Sequence, residues 1–166
     1  MAHSPSNKSR ASTLKLSVRA AGRKDLDALV HQRRAMWMDL GIKGKARHAK
    51  ADRAYRRWAE NQLRKRQLMA WVVEAGDGRI AGGGCLWLQP IQPSPRRSGT
   101  LQPYLLSMYT EPEFRGHGVA SMVVSYAIAW CKRKGYKRLQ LHASEMGRNV
   151  YRRFGFKRTW EMRLNI

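Results

Sequence analysis

Between Leu16 and Ala20 apolar and polar side chains alternate, the period-two signature of a half-buried strand. At Asp25 the period changes, and Leu26, Leu29, Val30 and Trp37 recur at helical spacing until Gly41, which predicts a first helix. A second helix is expected over about 49–66, where Ala51, Ala54, Tyr55, Trp58, Ala59 and Leu63 form the apolar stripe. Arg53, Arg56, Arg57, Arg64 and Arg66 fill much of its remaining surface, giving a cationic outer face. The runs 68–75 and 80–88 flank Gly76-Asp77-Gly78 and predict a hairpin. Gly82-Gly83-Gly84 in its second strand signals a bulge or a close approach of another backbone.

A proline-rich connection over 89–100, long for a hairpin, leads to a fourth strand at 104–109. There follow a turn at 111–117, a mostly apolar helix over about 118–134 stopped by Gly135, and a strand at 138–142. A short helix near 146–154, stopped by Gly155, precedes a last strand near 159–164. Residues 1–13 are polar, Ser-rich and basic without periodicity and read as a disordered tail. The 166 residues suit one domain, taken as 14–166.

Charge narrows the partners without naming a chemistry. With 33 Lys+Arg against 11 Asp+Glu the net charge is +22, so nucleic acid, an anionic membrane face, an acidic substrate or a phosphorylated cofactor would all be attracted. Cys85 and Cys131 stand far apart with no metal-ligand spacing, which argues against structural zinc or a disulfide framework and for a reducing cytoplasm. No metal is expected. Lys15 and Arg19 interrupt any signal-like apolar run, and nothing approaches the roughly 18 apolar residues of a membrane span.

The run Arg115-Gly116-His117-Gly118-Val119-Ala120 lies between the apolar fourth strand and the apolar helix. A glycine-bearing turn there can aim N–H groups at a phosphate over the helix start, or can use glycine only for its torsion angles. A Walker loop would require Lys-Ser/Thr after its last glycine, where Val119 stands. A dinucleotide fingerprint would want Gly or Ala at Ser121 and an acidic residue near Gln140. Neither fits.

The whole run from Leu105 to Phe156 resembles the GNAT superfamily of acyl-CoA-dependent N-acyltransferases, whose pyrophosphate-binding pattern falls here on Arg115-x-x-Gly118-x-Ala120. The resemblance implies an α/β fold: a mostly antiparallel, twisted sheet of six to seven strands, splayed between the fourth and fifth, with about four flanking helices. It implies acetyl-CoA as acyl donor, held by Arg115, Gly116, His117, Gly118, Val119 and Ala120 and by backbone at Met108, Tyr109 and Thr110. Those strand N–H groups could also polarise the thioester carbonyl. Ala143-Ser144-x-x-Gly147-x-x-Val150-Tyr151-x-x-Phe154-Gly155-Phe156 looks like the family's second cofactor motif, with Ser144 as ligand, although many members have Asn at that place.

Within that motif Tyr151 would be the general acid, since a phenol keeps its proton at neutral pH and can protonate a departing thiolate. On a helix, Met146, Val150 and Phe154 form the packed stripe and Tyr151 falls about 100° off Val150; the alternative is a packed tyrosine with a satisfied hydroxyl. For the base, Glu74, Glu111, Glu145 and His142 all remain open. The expected reaction is direct attack of a primary amine in a ternary complex, with neither cysteine placed as nucleophile.

The alternative is a basic nucleic-acid- or ribosome-associated module with a GNAT-like fold, although no helix-turn-helix, zinc finger or aromatic ribonucleoprotein motif is present. The acceptor pocket would be built by residues about 31–66, the 89–100 connection and the carboxyl-terminal strands, with Trp37 or Trp58 on its wall. Scarce acid disfavours polyamines and aminoglycosides and favours an amine that carries a carboxylate, or a peptide amine in an acidic context. The resemblance also implies a homodimer through the carboxyl-terminal strands.

Overall fold

The computed structural model describes residues 14–95 and 99–166; the basic segment 1–13 lies outside the described residues. Strand β1 (Leu16–Ala21) leads through a short 3-10 turn at Arg23–Asp25 into helices α1 (Leu26–Asp39) and α2 (Lys45–Arg64). Strands β2 (Leu68–Ala75), β3 (Ile80–Pro90) and β4 (Leu101–Thr110) follow, then α3 (Val119–Arg133), β5 (Gln140–Leu141) and α4 (Arg148–Arg153). The five strands lie in chain order, antiparallel from β1 to β4, and β5 joins β4 in parallel.

Helices cover both faces, and alternation in the strands divides the side chains between them. On one face Leu26, Leu29, Val30, Tyr55 and Ala59 of α1 and α2 pack on Leu68, Ala70 and Cys85, with Leu106 beside them. On the other, Val124, Ala127 and Cys131 of α3 and Tyr151 of α4 pack on Trp71, Leu86 and Leu105. Helix α2 begins at Lys45, earlier than its apolar pattern indicates. It buries His48, Tyr55 and Ala59 and leaves Ala51 and Ala54 exposed. Among the described residues no helix is long and apolar enough to cross a membrane, and no group of side chains is set to hold a metal.

The strand expected at 159–164 does not join the sheet, so there are five strands instead of six to seven. Residues 157–166 form no ladder, and Trp160, Met162, Leu164 and Ile166 are between 82% and 118% exposed. Alternation marks a segment able to pair; pairing itself needs an edge of matching length, and β5 is two residues long.

Where β1 turns into α1 the connection is fixed electrostatically. Arg19 donates from Nη1 and Nη2 to the two carboxylate oxygens of Asp25 at 3.0 and 2.8 Å, and from Nε to Glu74 at 2.7 Å. Asp25 also accepts the Gly22 N–H at 2.9 Å and is 6% exposed. The Arg19 guanidinium holds the Asp25 carboxyl below the usual carboxylate range against the opposing effect of burial. The pair therefore stabilises the fold above the unfolded-state pKa of about 3.9, and that contribution is lost as pH falls through the depressed folded value. Asp25→Asn should cost about 2 kcal/mol near pH 6, measured by urea unfolding. The difference from wild type should shrink toward zero near pH 2; a difference independent of pH would refute the ionic account.

Candidate active site

Strands β4 and β5 pair only at Tyr104 with Gln140 and Leu105 with Leu141. Beyond that point they part, and residues 106–110 of one and 142–144 past the other line a single cavity of about 710 Å³. On its other side β4 loses register too. Leu106 faces Cys85 and Tyr109 faces Gly83, so Ser107 and Met108 together oppose Gly84. This is a β-bulge, which leaves backbone groups outside the regular ladder. Ser107 takes φ 53°, a conformation that costs an L-residue on the order of 1–3 kcal/mol, and is 6% exposed. The glycine run explains how β3 tolerates this. A Cβ at Gly84 would collide with Met108 Sδ and stand 3.0 Å from Val123 Cγ1.

At the mouth, Gly116 and Gly118 take φ 82° and 83°, and Gly118 caps α3. Met122 N–H reaches Gly118 C=O at 3.0 Å, so the N–H groups of Val119, Ala120 and Ser121 are those a helix start leaves without an intrahelical acceptor. Arg115, Gly116, Gly118, Val119 and Ala120 line the cavity. Val119 is 1% exposed, its side chain in the core, so only its backbone is available. His117 is not on the lining; its Nδ1 lies 3.0 Å from Arg115 C=O and its ring is exposed. Arg115 donates from Nη2 to Asp39 at 2.6 Å and from Nε to Thr110 C=O at 3.2 Å.

The third wall comes from α4. Ser144 Oγ accepts Gly147 N–H at 3.2 Å, and a Cβ at Gly147 would stand 3.0 Å from the Tyr151 ring. Tyr151 is 9% exposed and meets Phe156 edge to face, yet it also lines the cavity. Its hydroxyl makes no hydrogen bond among the described residues. Burial pushes its pKa up to about 12. Met146, expected on the packed stripe with Val150 and Phe154, precedes the helix and is 67% exposed at the rim of the cavity.

Parted parallel strands beside a bulge, a glycine-capped helix start and a buried tyrosine thus converge on one cleft. The sequence model of the acetyltransferase (GNAT) family matches residues 31–156. The chain belongs to the GNAT acetyltransferase family. It is similar to a GCN5-related N-acetyltransferase from Ralstonia eutropha JMP134, with 27% identity over 92% of this chain and 99% of that one, at a TM-score of 0.82. A predicted acetyltransferase from Clostridium acetobutylicum, solved with acetyl-CoA, shows 28% identity over 91% and 96% of the two chains and a TM-score of 0.81. An aminoglycoside N-acetyltransferase, AAC(6')-Iy, solved with CoA, shares the fold at 18% identity, 94% and 97% coverage and a TM-score of 0.71. No curated protein matches the chain.

The donor set fits the acetyl-CoA that this GNAT family uses. Open helix N–H groups and Arg115 suit phosphates, and the free strand edges suit an amide-bearing arm. Of the candidate bases, Glu74 is bound to Arg19, Glu111 lies 2.9 Å from His31 Nε2, and Glu145 is not on the lining. His142 is on it, with Glu161 Oε1 at 2.7 Å from Nε2 and the Tyr104 hydroxyl at Nδ1. Trp37 lines the cavity, whereas Trp58 stacks on Tyr55 and meets Trp87 in the core. Neither cysteine lines it, and burial pushes both thiols up to about 11.

Sequence reasoning missed Arg33, Asp39, Tyr104 and Ser107 on the lining. Arg33 precedes Trp37 by about one helical turn, which was a usable signal; the bulge residue had only its partner glycines to announce it. Gly84→Ala should displace Met108, lowering stability by about 1–3 kcal/mol and weakening acetyl-CoA binding in the same variant. Retention of both would show that Met108 does not hold the bulge.

Proposed function

We propose that the protein is an acetyl-CoA-dependent N-acetyltransferase that passes the acetyl group directly to a primary amine in a ternary complex. The observation that carries this reading is the unpartnered Tyr151 hydroxyl in the same cavity as the parted strands and the start of α3. Acetyl-CoA supplies the activated acyl group. Met108, Tyr109 and Thr110 offer backbone to its pantetheine arm, and the N–H groups of Gly116, Gly118, Val119 and Ala120 with Arg115 take its phosphates; Ser144 lies within the same wall.

A bond forms between the amine nitrogen and the acyl carbon while the carbon–sulfur bond breaks. The bulge at Ser107 and Met108 leaves backbone donors for the charge that the carbonyl oxygen gains. Burial keeps the Tyr104 phenol protonated by raising its pKa, so it serves as a donor to His142. The amine's proton goes to Tyr104 Oη as the phenol's own moves to His142 Nδ1, with Glu161 orienting the ring from Nε2. Tyr151 gives its proton to the departing thiolate. The desolvation that raises the phenol pKa also makes a bare thiolate costly there, so neutralising it lowers the barrier. Buried thiols away from the cavity support transfer without an acyl-enzyme.

Calorimetry at about 0.3 M salt, where the Debye length is about 6 Å, should give saturable binding of one acetyl-CoA per chain. Tyr151→Phe should lower kcat about 100-fold with the acetyl-CoA Kd within about twofold of wild type. Because Tyr151 holds its proton until about pH 12, turnover should show no alkaline limb from this group below about pH 10. Unchanged turnover would remove Tyr151 from the mechanism. Absence of binding by a folded sample would move function to the charged surface, as a nucleic-acid-associated module, where exposed Arg53 and Arg57 of α2 have no carboxylate partner among the described residues.

We also propose that two copies associate through residues 157–166. Four apolar side chains at alternate positions stand bare, Glu161 among them reaches His142 just past the edge strand β5, and each copy carries the same edge and the same segment. A two-fold contact therefore closes on itself and covers both. Light scattering at about 0.3 M salt should give a dimer, and a triple variant Trp160→Ser, Met162→Ser, Leu164→Ser a monomer. A wild-type monomer would refute the association.

A further inference from the structure

Two arginines on the cavity lining, Arg33 and Arg153, are bound by no carboxylate among the described residues, and Arg153 of α4 is exposed to solvent. The third arginine of the lining, Arg115, bonds Asp39. Arg33 is half-buried on α1, and no carboxylate lies within ion-pairing distance of it among the described residues. Its Nη1 donates to Ser107 Oγ at 3.2 Å, and its guanidinium carbon stands 4.7 Å above the Tyr55 ring and 5.7 Å from that of Trp37. Ser107 and Tyr55 are each 6% exposed, so the guanidinium is held on a fixed platform. Of its five N–H donors, one is used by a side chain.

A partly desolvated cation without a counter-ion is costly unless an anion arrives with the ligand. That anion is distinct from the phosphates. Asp39 and Arg115 mark the mouth of the cleft, and Arg33 lies about 9 Å deeper along α1, at the bulge where β4 leaves the ladder. It lies on the α1 face, the face that carries Leu106 and Trp37. The one carboxylate on the cavity lining is Asp39, already bound. A polycationic acceptor would therefore meet Arg33 with nothing to offset it.

We propose that Arg33 is the carboxylate-binding residue of the acceptor site, so that the substrate is an amine bearing a carboxylate, gripped through a bidentate pair. The aromatic rings of Trp37 and Tyr55 stiffen the guanidinium, and Ser107 sets its orientation. This rests on the acetyltransferase reading, and the test separates the two.

The full chain, loaded with acetyl-CoA, is assayed for CoA release with matched pairs: L-phenylalanine and 2-phenylethylamine, L-tryptophan and tryptamine, L-lysine and cadaverine. The acid of at least one pair should exceed its amine in kcat/KM by tenfold or more. Arg33→Met should collapse that ratio at least tenfold, chiefly through the KM of the acid, and Arg33→Lys should restore part of it. The acetyl-CoA Kd of each variant reports whether the cleft is intact. Equal or better use of the amines, or turnover of no acid by a chain that binds acetyl-CoA, overturns the carboxylate assignment alone. A chain that binds no acetyl-CoA removes the acetyltransferase reading and this assignment with it.

Discussion

The parting of β4 from β5 after one pair of neighbouring residues governs the rest of the molecule. Backbone N–H and C=O groups must find partners when they leave water, and a parallel pair that stops at Leu105 and Leu141 leaves a row of them facing a cavity. The separation is held open from both sides. Helix α3 packs Val124 and Ala127 on Leu105, and α1 and α2 pack on Leu106, so adjacent residues of β4 are anchored to opposite layers. Closing the gap would require moving a whole helical layer. The bulge at Ser107 and Met108 adds a bend to β4 just beyond its last pair with β5.

Much of this was legible in the chain. Periodicity gave β1, α1, the hairpin, β4, α3 and the short α4, because each of these buries one face against a neighbour adjacent in sequence. The glycine-bearing turn could be read as a phosphate cradle because its chemistry is local: torsion angles and a helix start are properties of six consecutive residues. The resemblance supplied the remaining expectations for a cofactor site. Tyr151 was open between a general acid and a packed tyrosine with a satisfied hydroxyl; its ring packs on Phe156, and its hydroxyl has no partner among the described residues.

What stayed hidden depends on contacts between distant segments. Arg33 and Ser107 are 74 positions apart, and Tyr104 and His142 are 38 apart; neither pairing has a local signature. The terminal segment shows the opposite failure. Trp160, Met162 and Leu164 alternate as a strand should, and still no ladder forms, because alternation describes a face and says nothing about whether an edge is there to receive it. His117 lies off the cavity lining for a simpler reason. Gly116 and Gly118, at φ 82° and 83°, are on the lining, and the exposed ring between them bonds back to Arg115 C=O.

The overall charge of +22 sets the long-range field, yet the cavity lining holds one carboxylate. Asp39 holds Arg115 across the mouth, and the same guanidinium lies 5.8 Å from the Tyr109 ring and donates to Thr110 C=O. Three contacts on one side chain fix it in advance of any ligand, so binding an anionic group does not have to order a long flexible arm. The carboxylate competes with that anion for the guanidinium, which trades affinity for a fixed geometry. Arg33 is held by aromatic faces and a hydroxyl instead, which immobilise the cation without neutralising it. Two arginines on one cleft are thus preorganised by opposite means: the one at the mouth is partly neutralised, and the one at the bulge keeps its full charge for the ligand that reaches it.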